Sequence, residues 1–109
     1  DSSSYDVVHW LLTPYKCGLF LARESIAAIS QELSLPLVMG ERSRMLETLF
    51  RAAGQYDMLG ELLKHLTRRF DDADAAYLAW ASEYPAWHPY AQAWRKRLAT
   101  TCTHLLSQT

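Results

Sequence analysis

Apolar residues return every three or four positions through most of this chain, the period of a helix packed along one face. Tyr5, Val8 and Leu12 make the first stripe, widened by Val7, Trp10 and Leu11. Leu19, Ala22, Ile26, Ile29 and Leu33 make a second; Met45, Leu46, Leu49, Phe50 and Ala53 a third; Leu59, Leu62, Leu63, Leu66 and Phe70 a fourth. No stretch alternates apolar and polar residues as a strand would. The polar opening at 1–4 reads as a flexible lead-in whose Ser3 or Ser4 caps the first helix, and Thr13-Pro14 forms a break or a new helix start. Residues 13–21 stay open between helix and turn, because Gly18 weakens a continuous helix. Helices are predicted at 22–34 and 41–53, separated by an apolar loop at 34–40. Gly54 is the expected C-terminal cap of the latter, Asp57 the N-cap of the next helix, and Asp71 to Asp74 a turn.

The stretch from Ala73 to Leu106 holds three of the four tryptophans. Ala73, Ala76, Tyr77, Trp80, Ala81 and Tyr84 form one stripe. Trp87, Tyr90, Trp94, Leu98, Cys102 and Leu105 form another, with Arg95, Lys96 and Arg97 assigned to its opposite side. Pro85 cannot continue the first helix and Pro89 suits the first turn of the second, so the pair reads as an antiparallel hairpin. Ala73, Tyr77 and Pro85 resemble one half of a tetratricopeptide unit, but Leu59-Gly60 is out of register for the other half and no second copy follows. The chain therefore predicts an all-α fold, a compact bundle of five or six short antiparallel helices in a single domain over residues 1–109. Its expected core is Trp80, Trp94, Tyr77, Phe50, Leu49, Leu62, Leu66, Leu98, Ile26 and Ile29.

Composition supports a folded helical domain. Of 109 residues 50% are hydrophobic and 12% aromatic, with only four glycines and four prolines. The net charge of −1 argues against general polyanion binding. No acid follows Glu83, so the last quarter is locally basic. Cys17 and Cys102 lack zinc spacing; they read as reduced thiols of a cytoplasmic protein, with their pairing left open. No run reaches the ~20 apolar residues of a membrane span. A chain opening on Asp1 leaves open a leader or flanking region removed ahead of it.

No motif carries catalysis, and neither a catalytic residue nor a cofactor or metal is expected. His9, His65, His88 and His104 form no ligand pattern; His65 reads as a surface histidine. The aspartates at 71, 72 and 74 lack the ligand series of a calcium loop. Ser25 to Pro36 resembles the first helix and turn of helix-turn-helix domains, which would make 41–53 a recognition helix reaching DNA through Arg42, Arg44 and Arg51. Five basic against six acidic side chains in residues 1–54 give that reading little electrostatic footprint, and it stands second. The first is a non-enzymatic interaction module, an adaptor or chaperone-like bundle that binds a peptide or helix of a partner protein, or a second copy of itself through loop 34–40 or the first helix. Two surfaces are candidates: Trp87, His88 and Pro89 with Arg95, and the loop residues Leu37, Val38 and Met39. Exposed aromatics and arginines are favoured anchors at interfaces.

Overall fold

The computed structural model describes residues 2–107, with side chains from Asp6 onward. Six α-helices occur among them: α1 (Ser2–Leu12), α2 (Pro14–Cys17), α3 (Arg23–Glu32), α4 (Arg42–Gln55), α5 (Leu59–Glu83) and α6 (His88–Leu106), with a 3₁₀ turn at Pro85–Trp87. No strand is present among the described residues. The inward faces of the helices meet in one core that includes Leu11, Leu21, Ile26, Ile29, Leu46, Leu49, Leu62, Leu66 and Phe70.

Three connections differ from expectation. Residues 2–4, read as a lead-in, are already helical; the expected capping by Ser3 or Ser4 lies outside the described side chains. Gly54 does not end α4, which runs one residue past it. The turn that follows is made by Asp57, at φ 57°, with the Met58 N–H donating to the Ala53 carbonyl at 2.7 Å. Ser34 does the same after α3 at φ 54°, with Leu35 N–H donating to the Ser30 carbonyl at 2.9 Å. Both are left-handed helix ends, and Asp57 is therefore a C-terminal turn residue rather than an N-cap. The position before α5 is Met58, without a side-chain cap.

The Asp71–Asp74 turn is absent. Helix α5 runs through it as one piece of 25 residues, because the aspartates alternate with alanines, the strongest helix formers, and no glycine or proline interrupts them. Phe70 and Ala73 keep the inward period, and Asp74 reaches across to α6.

Residues 13–21 resolve into the single turn α2, then Gly18 at φ 90° and an extended link into α3. Gly18 sits where α2 meets the backbone of α6: a Cβ there would lie 2.9 Å from the Leu98 amide nitrogen and 3.0 Å from the Trp94 carbonyl oxygen. Its own carbonyl accepts the Tyr77 hydroxyl at 3.0 Å. The crossing is completed by Thr101, fully buried, which accepts the Trp10 indole N–H at 3.0 Å and lies 3.0 Å from the Cys17 carbonyl oxygen. One threonine thus joins α1, α2 and α6.

Helix α5 belongs to two regions. Up to Phe70 it is packed in the body against α3 and α4. His65 lies 3.7 Å from Glu32 and Arg69 3.1 Å from it, so His65 is a half-buried bridge to α3 rather than a free surface histidine. Beyond Phe70, α5 begins to leave the body, with Ala73 and Tyr77 still packed against it, and runs on with the first half of α6 as an arm. Every residue from Ser82 to Tyr90 is exposed, and the molecule measures 45 × 25 × 21 Å.

Candidate partner-binding site

The arm carries most of the aromatic residues, and it changes their expected role. Trp80 is 38% exposed, and Tyr77 and Trp94 are half-buried. None of the three is a core residue: Trp80 lies past the end of the body, Trp94 borders solvent beside Arg97, and Tyr77 packs on the edge of the core with its hydroxyl donating to the Gly18 carbonyl. The other expected core residues (Phe50, Leu49, Leu62, Leu66, Leu98, Ile26 and Ile29) are buried.

The tip is stiff for the reason the prolines gave. Pro85 opens the 3₁₀ turn, and Pro89 lies in the first turn of α6. The Trp87 N–H donates to the Tyr84 carbonyl at 2.9 Å. Trp87 is 48% exposed, Tyr84 50% and Tyr90 60%. The Trp87 ring stacks on Trp80, centroids 5.5 Å apart and planes 27° apart, and meets Tyr90 at 5.5 Å. Tyr90 and Trp94 are one helical turn apart on α6 and so adjacent on its surface. Beyond them the Arg97 guanidinium lies 4.6 Å from the Trp94 ring and 4.4 Å from that of Tyr15. An aromatic strip therefore runs from the tip down to α2, with one cation clasped between two rings near its end.

His88 and Arg95 do not join this strip. The His88 Nε2 lies 3.1 Å from the Gln92 side-chain nitrogen. Arg95 turns toward α5, where its Nε and Nη2 donate to the two carboxylate oxygens of Asp74 at 2.9 and 3.3 Å. The fan of Arg95, Lys96 and Arg97 on one far side is thus corrected: the three point to α5, to solvent and to the aromatic strip. On this second flank an open groove of about 730 Å³ lies between α5 and α6, lined by residues including Asp71, Asp74, Gln92, Lys96 and Cys102.

Loop 34–40 is divided. Leu35 is buried and Leu37 packs on the core, while Val38 and Met39 are exposed. Pro36, Leu37 and Val38 border a shallow groove of about 200 Å³ with Thr48, Arg51, Ala52 and Gln55. The loop leaves α3 beside Glu32, whose partner Arg69 precedes Tyr84 by a stretch of α5 roughly 22 Å long at 1.5 Å per residue. The two candidate surfaces are separate places on the molecule. The first helix, also considered for self-association, has Val7, Val8 and Leu11 in the core.

Arg42, assigned to DNA contact in the second reading, is occupied internally. Its Nε donates to the Leu21 carbonyl at 2.6 Å and its guanidinium lies 4.0 Å from the Phe20 ring. Arg44 and Arg51 are exposed. Cys17 and Cys102 are both free thiols. Burial pushes the Cys17 thiol up, against lowering contacts from backbone groups and Arg42. Burial and then Asp71 and Asp74 push Cys102 up, and burial raises Tyr77. These protons are held more tightly in the folded than in the unfolded chain, so their stabilisation is complete below the ordinary thiol range near pH 8.5. It is lost as pH climbs through that range and the unfolded chain releases them first. Chemical denaturation at pH 7, 8.5 and 10 should show stability falling only over the alkaline interval, and Cys17→Ala with Cys102→Ala should flatten that fall.

Among the described residues no group of three or more side chains could hold a metal ion, and no helix is long and apolar enough to cross a membrane. No known protein family, curated sequence or solved structure matches this chain.

Proposed function

We propose that the protein is a non-enzymatic interaction module, adaptor or chaperone-like in role, that docks a helix or peptide of a partner protein on the aromatic strip of the α5–α6 arm. The observation that carries the reading is the exposed, mutually contacting ring cluster of Trp80, Trp87 and Tyr90 on a proline-stiffened tip. A rigid turn loses little conformational entropy when a partner arrives, and aromatic rings supply large contact area at fixed positions. The locally basic α6 favours a partner with acidic residues flanking its apolar face. Arg97, held between Trp94 and Tyr15, is the cation nearest the strip.

The replacements Trp80→Ala and Trp87→Ala together should weaken partner binding at least tenfold, since hot-spot aromatics cost about 2 kcal/mol or more each when truncated. They should shift the melting temperature little, since neither ring is in the core. Calorimetric titration should give a negative heat-capacity change and a weak salt dependence. Titration with random duplex DNA separates the second reading: binding that vanished with salt and was abolished by Arg44→Ala with Arg51→Ala would move the function to α4. Intact partner binding in the double tryptophan variant would remove the strip from the site.

A further inference from the structure

We propose that the outer flank of the α5–α6 arm, away from the aromatic strip, is a self-association surface on which a second copy of this chain docks to form a two-fold dimer. Charge divides this flank lengthwise. On this flank α5 presents Asp71 and Asp74, whereas α6 presents Arg95 and Lys96. The groove accordingly has an acidic wall and a basic wall. Within one copy the walls are joined by Asp74 and Arg95. Asp71 and Lys96 line the same groove, are exposed, and take part in no ion pair among the described residues.

A half-turn about an axis running along the arm lays α5 of one copy over α6 of the other. The acidic wall of each then meets the basic wall of its mate, and Asp71 of one copy faces Lys96 of the other at nearly the same height. The contact is isologous, so each pairing occurs twice. Groove residues Ala93 and Ala99 are small enough to let helices approach to the usual 8–10 Å. Leu78, exposed one turn beyond Asp74 on the same flank, gives the seam an apolar contact. The product is a four-helix bundle built from two hairpins, with the two bodies side by side at its base and both aromatic strips left uncovered.

The area sets the strength. An arm roughly 20 Å long and two helices wide presents a face of roughly 400 Å² before side-chain relief is counted. A standard interface takes about 800 Å² per partner, so the dimer belongs to the weak, concentration-dependent class.

The test is sedimentation of the full chain over a wide concentration range, with Asp71→Lys and Lys96→Glu made separately. The parent should show a monomer–dimer equilibrium that weakens with salt. Each variant alone should dimerise about tenfold more weakly or worse, since it places like charges opposite one another twice. An equimolar mixture of the two variants should recover the parent affinity. In the mixed dimer the exchanged charges oppose each other at one contact, and the native pairing of Asp71 with Lys96 forms at the other. Both positions are exposed, and circular dichroism of each variant checks that folding is intact. A strict monomer at all concentrations, a dimer that neither variant weakens, or a mixture that stays monomeric overturns the proposal. The double tryptophan variant should dimerise normally, so loss of partner docking and loss of the dimer are read independently.

Discussion

Gly18→Ala should destabilise the fold by about 2–5 kcal/mol, although it adds a single methyl group. Two effects combine. A left-handed backbone costs a non-glycine residue about 1–2 kcal/mol, and Gly18 holds φ at 90°. The added Cβ also meets backbone, 2.9 Å from the Leu98 nitrogen and 3.0 Å from the Trp94 oxygen. Backbone of a packed helix cannot rotate aside as a side chain would, and overpacking of this kind costs about 1–3 kcal/mol more. The loss would be felt by three helices at once, because the Gly18 carbonyl also receives the Tyr77 hydroxyl from α5. Denaturant unfolding should show the midpoint moving down with an unchanged slope. Gly54→Ala and Gly60→Ala serve as controls: a Cβ at either meets nothing within 4 Å, both lie inside helices, and alanine there should be neutral or stabilising. A Gly18→Ala protein as stable as its parent would mean that α2 is not seated on α6.

Phe70→Ala should cost about 3–5 kcal/mol, the usual range for deleting a buried phenyl ring, against a total stability of about 5–15 kcal/mol for a domain of this kind. Phe70 is fully buried and stands at the level where α5 leaves the body. Its removal opens a void between the body and the base of the arm. Trp94→Ala removes a larger side chain yet should cost clearly less, because one side of that ring already faces water and Arg97. The order of the two melting temperatures is the measurement. A lower value for Trp94→Ala would place the aromatic strip, and not Phe70, at the centre of the fold.

That ordering reverses the one suggested by residue type, and the reversal shows what periodicity can carry. The spacing of Leu62, Leu66, Phe70 and Tyr77 tells which residues share a face of α5. It does not tell where along the helix the neighbouring elements stop. Trp80 continues that run as regularly as Phe70 does, but the body ends between them, so the same pattern yields core at one end and exposed rings at the other. The aspartates failed differently. Three acids in four positions read as a turn, yet their alanine neighbours and the Asp74–Arg95 contact hold the helix through them. Gly18 was visible as an interruption, but the close approach of α6 that requires it comes from a residue about eighty positions away, beyond the reach of any local reading. The tip itself was legible: Pro85 and Pro89 frame it as expected. Arg95 was not, because its partner on α5 depends on how the two helices face.

The length of α5 also decides how the molecule can yield. One unbroken helix of 25 residues is clamped at one end by Leu62, Leu66 and Phe70 and bathed in solvent at the other. The free energy needed to open its backbone amides must therefore fall along it, from that of global unfolding near Leu66 to little more than fraying near Glu83. Pro85 and Pro89 limit this loosening to helical turns on either side of them, since the turn they frame has few conformations to gain. The end of the protein that carries the stacked tryptophans can thus tilt as one stiff piece toward an incoming surface while the body remains folded.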